Sequence, residues 1–168
     1  MKKIGLVYSF NSNKTAKVAE RIKEEFKEAP LEVINAETLT EKQFLQFDNL
    51  ILGVPTWFDG ELPNYWDEFG PALEEMNLKG KQVALYGLGD QIGYSENFLD
   101  AVGIMAQILE SRGAKIVGKT SVEGYTFESS KALQNDKFLG LAIDFENQAT
   151  KNKERVKSWV KQLIVEFK

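Results

Sequence analysis

The 168-residue chain contains no cysteine and no histidine. The first absence excludes disulfides, thiolate metal sites and a thiol nucleophile. The second removes the commonest general base near neutral pH, the Ser-His-Asp arrangement and most transition-metal sites. No catalytic side chain and no metal-ligand set are assigned, and chemistry at pH 7 falls to a bound cofactor. No apolar stretch approaches the ~20 residues that span a bilayer. The run after Met1-Lys2-Lys3 is too short for a signal peptide and lacks a small-residue cleavage site. A net charge of −4 disfavours nucleic acid and anionic membranes as partners. The expected location is the cytoplasm.

What is present suits one globular domain over residues 1–168. Apolar residues make up 43% of the chain, enough for a substantial core at this length. Strand-like and helix-like periods alternate. Residues 3–8 form a short apolar run, the pattern of a strand covered on both faces. From Thr15 the period changes, with Ala16, Ala19, Ile22 and Phe26 on one helical face. Residues 31–35 and 49–54 read as the next two strands. A helix is expected over 62–76, with Pro63 in its first turn and Pro71 kinking or shortening it. A fourth strand follows at 81–87, then a helix over 96–112 ending at Gly113. Residues 115–122 start a fifth strand, and 138–143 form another apolar run of strand length. Val156, Trp159, Val160, Leu163, Ile164 and Phe167 mark one stripe on a closing helix. The polar stretch 123–137 is an excursion from the sheet. The alternation predicts a doubly wound parallel sheet with helices on both faces.

In such sheets ligands bind outside the carboxyl ends of the strands, and three loops there are distinctive. The first, Ser9-Phe10-Asn11-Ser12-Asn13-Lys14-Thr15, puts small polar side chains and a lysine at a helix N-terminus. Its unpaired N–H groups and the helix dipole favour an anion, especially phosphate. An ordinary cap by Ser12 or Asn13 is the plainer alternative. The second, residues 55–66, holds Trp57 and Phe58 between Pro55 and Gly60. The third, Gly87-Leu88-Gly89-Asp90-Gln91-Ile92-Gly93-Tyr94, has three glycines that permit close backbone approach and a further aromatic. An anion site beside two aromatics suits a planar ligand with a phosphate tail.

Several segments, in order, resemble the flavodoxins of the long-chain class. They are "PTW" with "GEL" at 60–62, "GDQIGY" at 89–94, "NF" at 97–98, "SKAL" at 130–133 and "RVKSWV" at 155–160. The resemblance implies a five-stranded sheet of order 2-1-3-4-5, its last strand split by an insertion at about 123–137. It implies noncovalent FMN and low-potential one-electron transfer between a partner reductase and acceptor enzymes. Asn11, Ser12, Asn13, Lys14 and Thr15 match the phosphate loop, with Ser9 and Phe10 leading into it, and Trp57 and Tyr94 match the aromatics that flank the isoalloxazine ring. Thr56 matches a position near the ribityl chain, and Pro55 before it is counted with the cofactor-binding residues. The backbone of Gly89 and Asp90 and of their neighbours matches the segment that hydrogen-bonds the pyrimidine edge, and Gly87, Leu88 and Asn97 are counted with the cofactor-binding residues. The Phe58-Asp59 peptide, before Gly60, would turn its carbonyl toward flavin N5 and stabilise a neutral semiquinone. A type II turn there places the positive φ on Asp59.

Two positions depart from the usual T-x-T-G-x-T phosphate loop: Phe10 replaces a hydroxyl residue, and Asn13 a glycine. Leu88 stands where the family commonly has Thr or Ser. The acids Asp59, Glu61, Asp67, Glu68, Glu74 and Glu75 lie in 55–78, which holds no Lys or Arg. They disfavour an anionic reduced flavin and attract basic partner surfaces. A monomeric carrier is expected. The alternatives are an FMN-dependent reductase of a small acceptor on the same scaffold, and an interaction module without cofactor.

Overall fold

The computed structural model describes residues 1–27 and 29–168. Its elements are β1 (Ile4–Tyr8), α1 (Asn13–Phe26), β2 (Leu31–Asn35), α2 (Glu41–Leu45), β3 (Asn49–Gly53), α3 (Asn64–Glu75), β4 (Gln82–Leu88), α4 (Asp100–Ser111), β5 (Lys115–Val117), β6 (Thr120–Ser121), β7 (Leu133–Gln134), β8 (Lys137–Phe138), β9 (Leu141–Ile143), α5 (Phe145–Gln148) and α6 (Asn152–Glu166). The main sheet is parallel, in the order β2-β1-β3-β4-β5, with β9 continuing along β4.

Side-chain alternation along each strand splits the core in two. Val7, Leu50, Leu52, Val83 and Leu85 face one side with Trp66, Phe69 and Met105. Ile4, Leu6, Ile51, Ala84 and Tyr86 face the other with Ile22, Trp159 and Leu163. Both faces are therefore dry, which is why β1 and β3 are buried at every position.

The last strand is split in space as well as in sequence. β5 pairs with residues 82–84 of β4, and β9 with residues 86–88. At the splice, a Cβ on Gly140 would lie 2.1 Å from the Leu85 carbonyl oxygen, so only glycine fits. The excursion is wider than the expected 123–137. It contains a small antiparallel sheet, β6-β8-β7, which takes Thr120, Ser121 and Phe138 out of the main sheet. The apolar runs 115–122 and 138–143 are thus each two short strands. Phe138 is buried among Phe98, Tyr125 and Phe127 instead.

Four other expectations change. Pro63 is the N-cap of α3 and not a first-turn residue, and the helix, shorter than the expected 62–76, runs past Pro71 to Glu75. The helix expected over 96–112 is broken at Leu99, whose φ is +58°. The Phe98 N–H goes to the Ser129 carbonyl, and the ring packs into the insertion's aromatics, so packing overrides the helical period. Ile164 is exposed and leaves the α6 stripe. Residues 36–45, unassigned by periodicity, hold a 3-10 turn and α2. The latter starts with a reciprocal Thr40–Gln43 capping box.

Candidate functional site

The strand order reverses at β1, and the carboxyl ends of β1 and β3 open there. A cleft of about 440 Å³ lies at this point. It is lined by Ser12, Asn13, Lys14 and Thr15 from the first loop, Pro55 and Thr56 from the second, and Leu88, Gly89, Asp90 and Tyr94 from the third. Three loops distant in sequence therefore meet in one wall.

The first turn of α1 sits directly on the sheet. A Cβ on Gly53 would lie 2.6 Å from the Tyr86 hydroxyl and 2.9 Å from Thr15 Cγ2. Into that space Tyr86 donates a 3.1 Å hydrogen bond to the Thr15 carbonyl. Ser12 is the N-cap residue, yet its side chain caps nothing: its hydroxyl donates to Thr15 Oγ1 at 2.9 Å. The N–H groups of Asn13, Lys14 and Thr15 have no acceptor among the described residues. This is an anion cradle in chemical terms, with aligned free donors at the positive end of a 14-residue helix. Thr15 has no exposed surface, and its hydroxyl oxygen is the acceptor that orients Ser12.

The third loop is pinned by two carboxylates. Asp90 accepts from the N–H groups of Ile92 and Gly93 and from Asn147 Nδ2. The bond from Gly93, then that from Asn147, hold its carboxyl below the usual aspartate range, with smaller help from Ile92 and the Lys14 charge. Asp144 is fully buried. It accepts from the Gln91 N–H and side-chain amide and caps α5 through the Asn147 N–H. Gln91 in turn receives the Thr126 N–H, which ties the loop to the insertion. The Asp90 N–H itself has no acceptor among the described residues and is free for a ligand.

Nine expected site residues lie outside the cleft wall. Ser9 is buried, its hydroxyl accepting from the Asn11 N–H. Phe10 is half-exposed with its ring 5.2 Å from Tyr8, and it does not line the cleft. Asn11 donates to Glu37. Gly87 packs its backbone on Val102, and Asn97 bonds to Asp100. Trp57 is half-buried, edge-on to Tyr65 at 5.9 Å, so it caps the core while its loop faces the cleft. Phe58 and Asp59 are exposed, and Gly60 is pressed against Asp100. In this loop positive φ falls on Phe58, at +49°, and on Gly60, at +100°, and not on Asp59. The Trp57–Glu61 bridge closes the loop so tightly that the first residue after Trp57 must reverse the chain.

Periodicity missed a fourth loop, after β9. Glu146 lines the cleft and its carboxylate is 2.5 Å from Lys14 Nζ. The signal was available: "DFEN" at 144–147 follows an apolar run, at another carboxyl end of the sheet. Reading 138–143 as one strand beside an excursion hid it.

Fold and cleft define a doubly wound α/β protein whose site, at the switch point, is built for an anion joined to a flat ring. The flavodoxin family model matches residues 6–159. A flavodoxin from a Nostoc species is 44% identical over 166 residues, covering 99% of this chain and 98% of that protein. Flavodoxin 1 of Escherichia coli is 41% identical, covering 97% and 93%. The crystal structure of Fusobacterium nucleatum flavodoxin bound to flavin mononucleotide superposes with a TM-score of 0.95 at 34% identity, covering all of both chains. The chain belongs to the flavodoxin family. Flavodoxins are themselves among the folds from which the switch-point rule was drawn.

Proposed function

We propose that this chain binds FMN noncovalently in the cleft and carries single electrons between redox partner proteins. The observation that carries the reading is the row of free N–H donors at the start of α1, in one wall with Tyr94 and the free Asp90 N–H. The full-length likeness to a flavodoxin with bound flavin mononucleotide supports it. FMN, when bound, supplies the one-electron chemistry; the protein supplies binding, orientation and electrostatics.

In this reading the N–H groups of Asn13, Lys14 and Thr15, with the Ser12 hydroxyl, hold the phosphate. Thr56 flanks the ribityl chain. Its hydroxyl already receives the Ala101 N–H, which fixes it against α4. Trp57 and Tyr94 flank the ring, with Trp57 braced by the Tyr65 edge. Stacking on aromatic faces favours a neutral ring over an anionic one. The Gly89-Asp90 backbone would hold the pyrimidine edge, and the Phe58 carbonyl would supply an acceptor to the ring. Phe10, turned toward Tyr8, leaves the phosphate to the remaining donors.

Asp59, Glu61, Asp67, Glu68, Glu74 and Glu75 are all exposed and in no ion pair among the described residues. They form an acidic face suited to basic partner surfaces. No helix of the described residues is long and apolar enough to cross a membrane. The reading is of a monomer meeting its partners by diffusion in the cytoplasm. Titrating flavin-free protein into FMN tests the cofactor directly. The expected outcome is fluorescence quenching that saturates at one FMN per chain; no quenching would remove the carrier reading.

A further inference from the structure

The cleft wall carries three charged side chains, Lys14, Asp90 and Glu146, one positive against two negative. A dianionic phosphate would therefore enter a wall whose own side chains are not net positive. The single cation is also already engaged. Lys14 Nζ reaches across from α1 to Glu146 Oε1 at 2.5 Å and lies 5.9 Å from the Phe145 ring centroid. Both side chains are about half exposed, so this is a pair that can open at little cost.

We infer that Glu146 sets the strength of phosphate binding by holding Lys14 away from that group, which is left to the uncharged donors of α1. The inference rests on the FMN reading above. The order of the contacts gives it a physical basis. The helix N-terminus offers donors of fixed direction, whereas a free lysine is a mobile point charge that attracts any anion. A carboxylate on that lysine lowers the attraction to anions in general and adds repulsion of its own. Recognition then depends on the fit of the phosphate to the N–H groups. Glu146 therefore lowers affinity, and the effect is confined to the phosphate end of the ligand.

That confinement makes the inference testable with two ligands, FMN and riboflavin, which differ only in the phosphate. Flavin fluorescence quenching at low ionic strength gives both affinities for the full-length chain and for Glu146→Gln, Lys14→Gln and the double variant. Glu146→Gln should bind FMN about tenfold more tightly, the scale of one charge-assisted hydrogen bond released to the ligand. Its riboflavin affinity should be unchanged, and the FMN gain should shrink as salt is raised. Lys14→Gln should weaken FMN binding by a larger factor in the Glu146→Gln background than alone, because only there is the lysine free.

Unchanged or weaker FMN binding by Glu146→Gln would overturn the inference. So would an equal gain for riboflavin, or a Lys14→Gln loss of the same size in both backgrounds, which would show that FMN opens the pair by itself. If the unmodified chain quenches neither flavin, the cofactor reading fails first, and this inference fails with it.

Discussion

Phe58 sits in the left-handed region at φ +49° with its ring 71% exposed, and its nearest aromatic is the edge of Trp57 at 6.4 Å. An L-residue there costs about 1–2 kcal/mol, and little burial offsets it. Phe58→Gly should stabilise the flavin-free protein against urea by about 1 kcal/mol, the gain being reduced by glycine's larger unfolded-state entropy. A loss of stability would mean that the contact with Trp57 outweighs the backbone strain. Asp90 permits a pH test. Its folded pKa is depressed, so its contribution is present above the unfolded value of about 3.9 and is lost as pH falls through the folded one. Asp90→Asn should be less stable than the unmodified chain at pH 7, with the two converging in acid. A gap that persists at the lowest pH would assign the loss to geometry and not to charge. Residue-level reading reaches what is local in sequence. Lys14 and Tyr94 stood out as types in loops, Thr56 and the Gly89-Asp90 backbone came from the family resemblance, and all of them line the cleft. It placed the positive φ one residue late because loop closure by the Trp57–Glu61 bridge is a backbone property that side-chain preference does not reveal.

At the level of elements, the short segment from Asp144 through α5 does more than its length suggests. The buried Asp144 carboxylate collects the Gln91 N–H, the Gln91 amide and the Asn147 N–H, joining the end of β9 to the third cleft loop. Asp144→Ala leaves those donors without acceptors inside the protein, and should cost about 3 kcal/mol in urea unfolding. Asp144→Asn keeps an acceptor and should cost less. Equal losses in the two would indicate that the buried charge, and not hydrogen-bond acceptance, holds the loop. Strands and long helices were legible because hydrophobic period reports burial. β1 to β4 and α1 appear within a residue or two of expectation. The break at Leu99 and the small insertion sheet were not, because both are set by an aromatic cluster of Phe98, Tyr125, Phe127 and Phe138 assembled from distant segments. Within that cluster burial pushes the Tyr125 phenol up to about 12, while Arg155, 4.0 Å from the ring centroid, opposes the shift. The phenol remains a donor to the Ala142 carbonyl at any physiological pH.

For the whole molecule, a parallel sheet dry on both faces leaves function to the ends of its strands, and four loops at one end supply the cleft. The insertion extends the sheet's last strand into a brace for the third loop through the Thr126–Gln91 bond and the Ser95 contacts to residues 128 and 129. Topology was legible because alternation of strand and helix admits few right-handed windings. The fourth cleft loop was not, because the split strand that delivers it has only three residues after the splice. The acidic face beside the cleft and the absence of any cysteine or histidine fit a protein whose chemistry lies in its cofactor. Stepwise anaerobic reduction of the purified protein, followed by absorbance, tests that account most directly. The account predicts one FMN per chain and, at one electron per flavin, a long-wavelength absorbance absent from both the oxidised and the fully reduced protein. A bound flavin that passes straight to the two-electron state, or a chain that takes up no FMN, would contradict it.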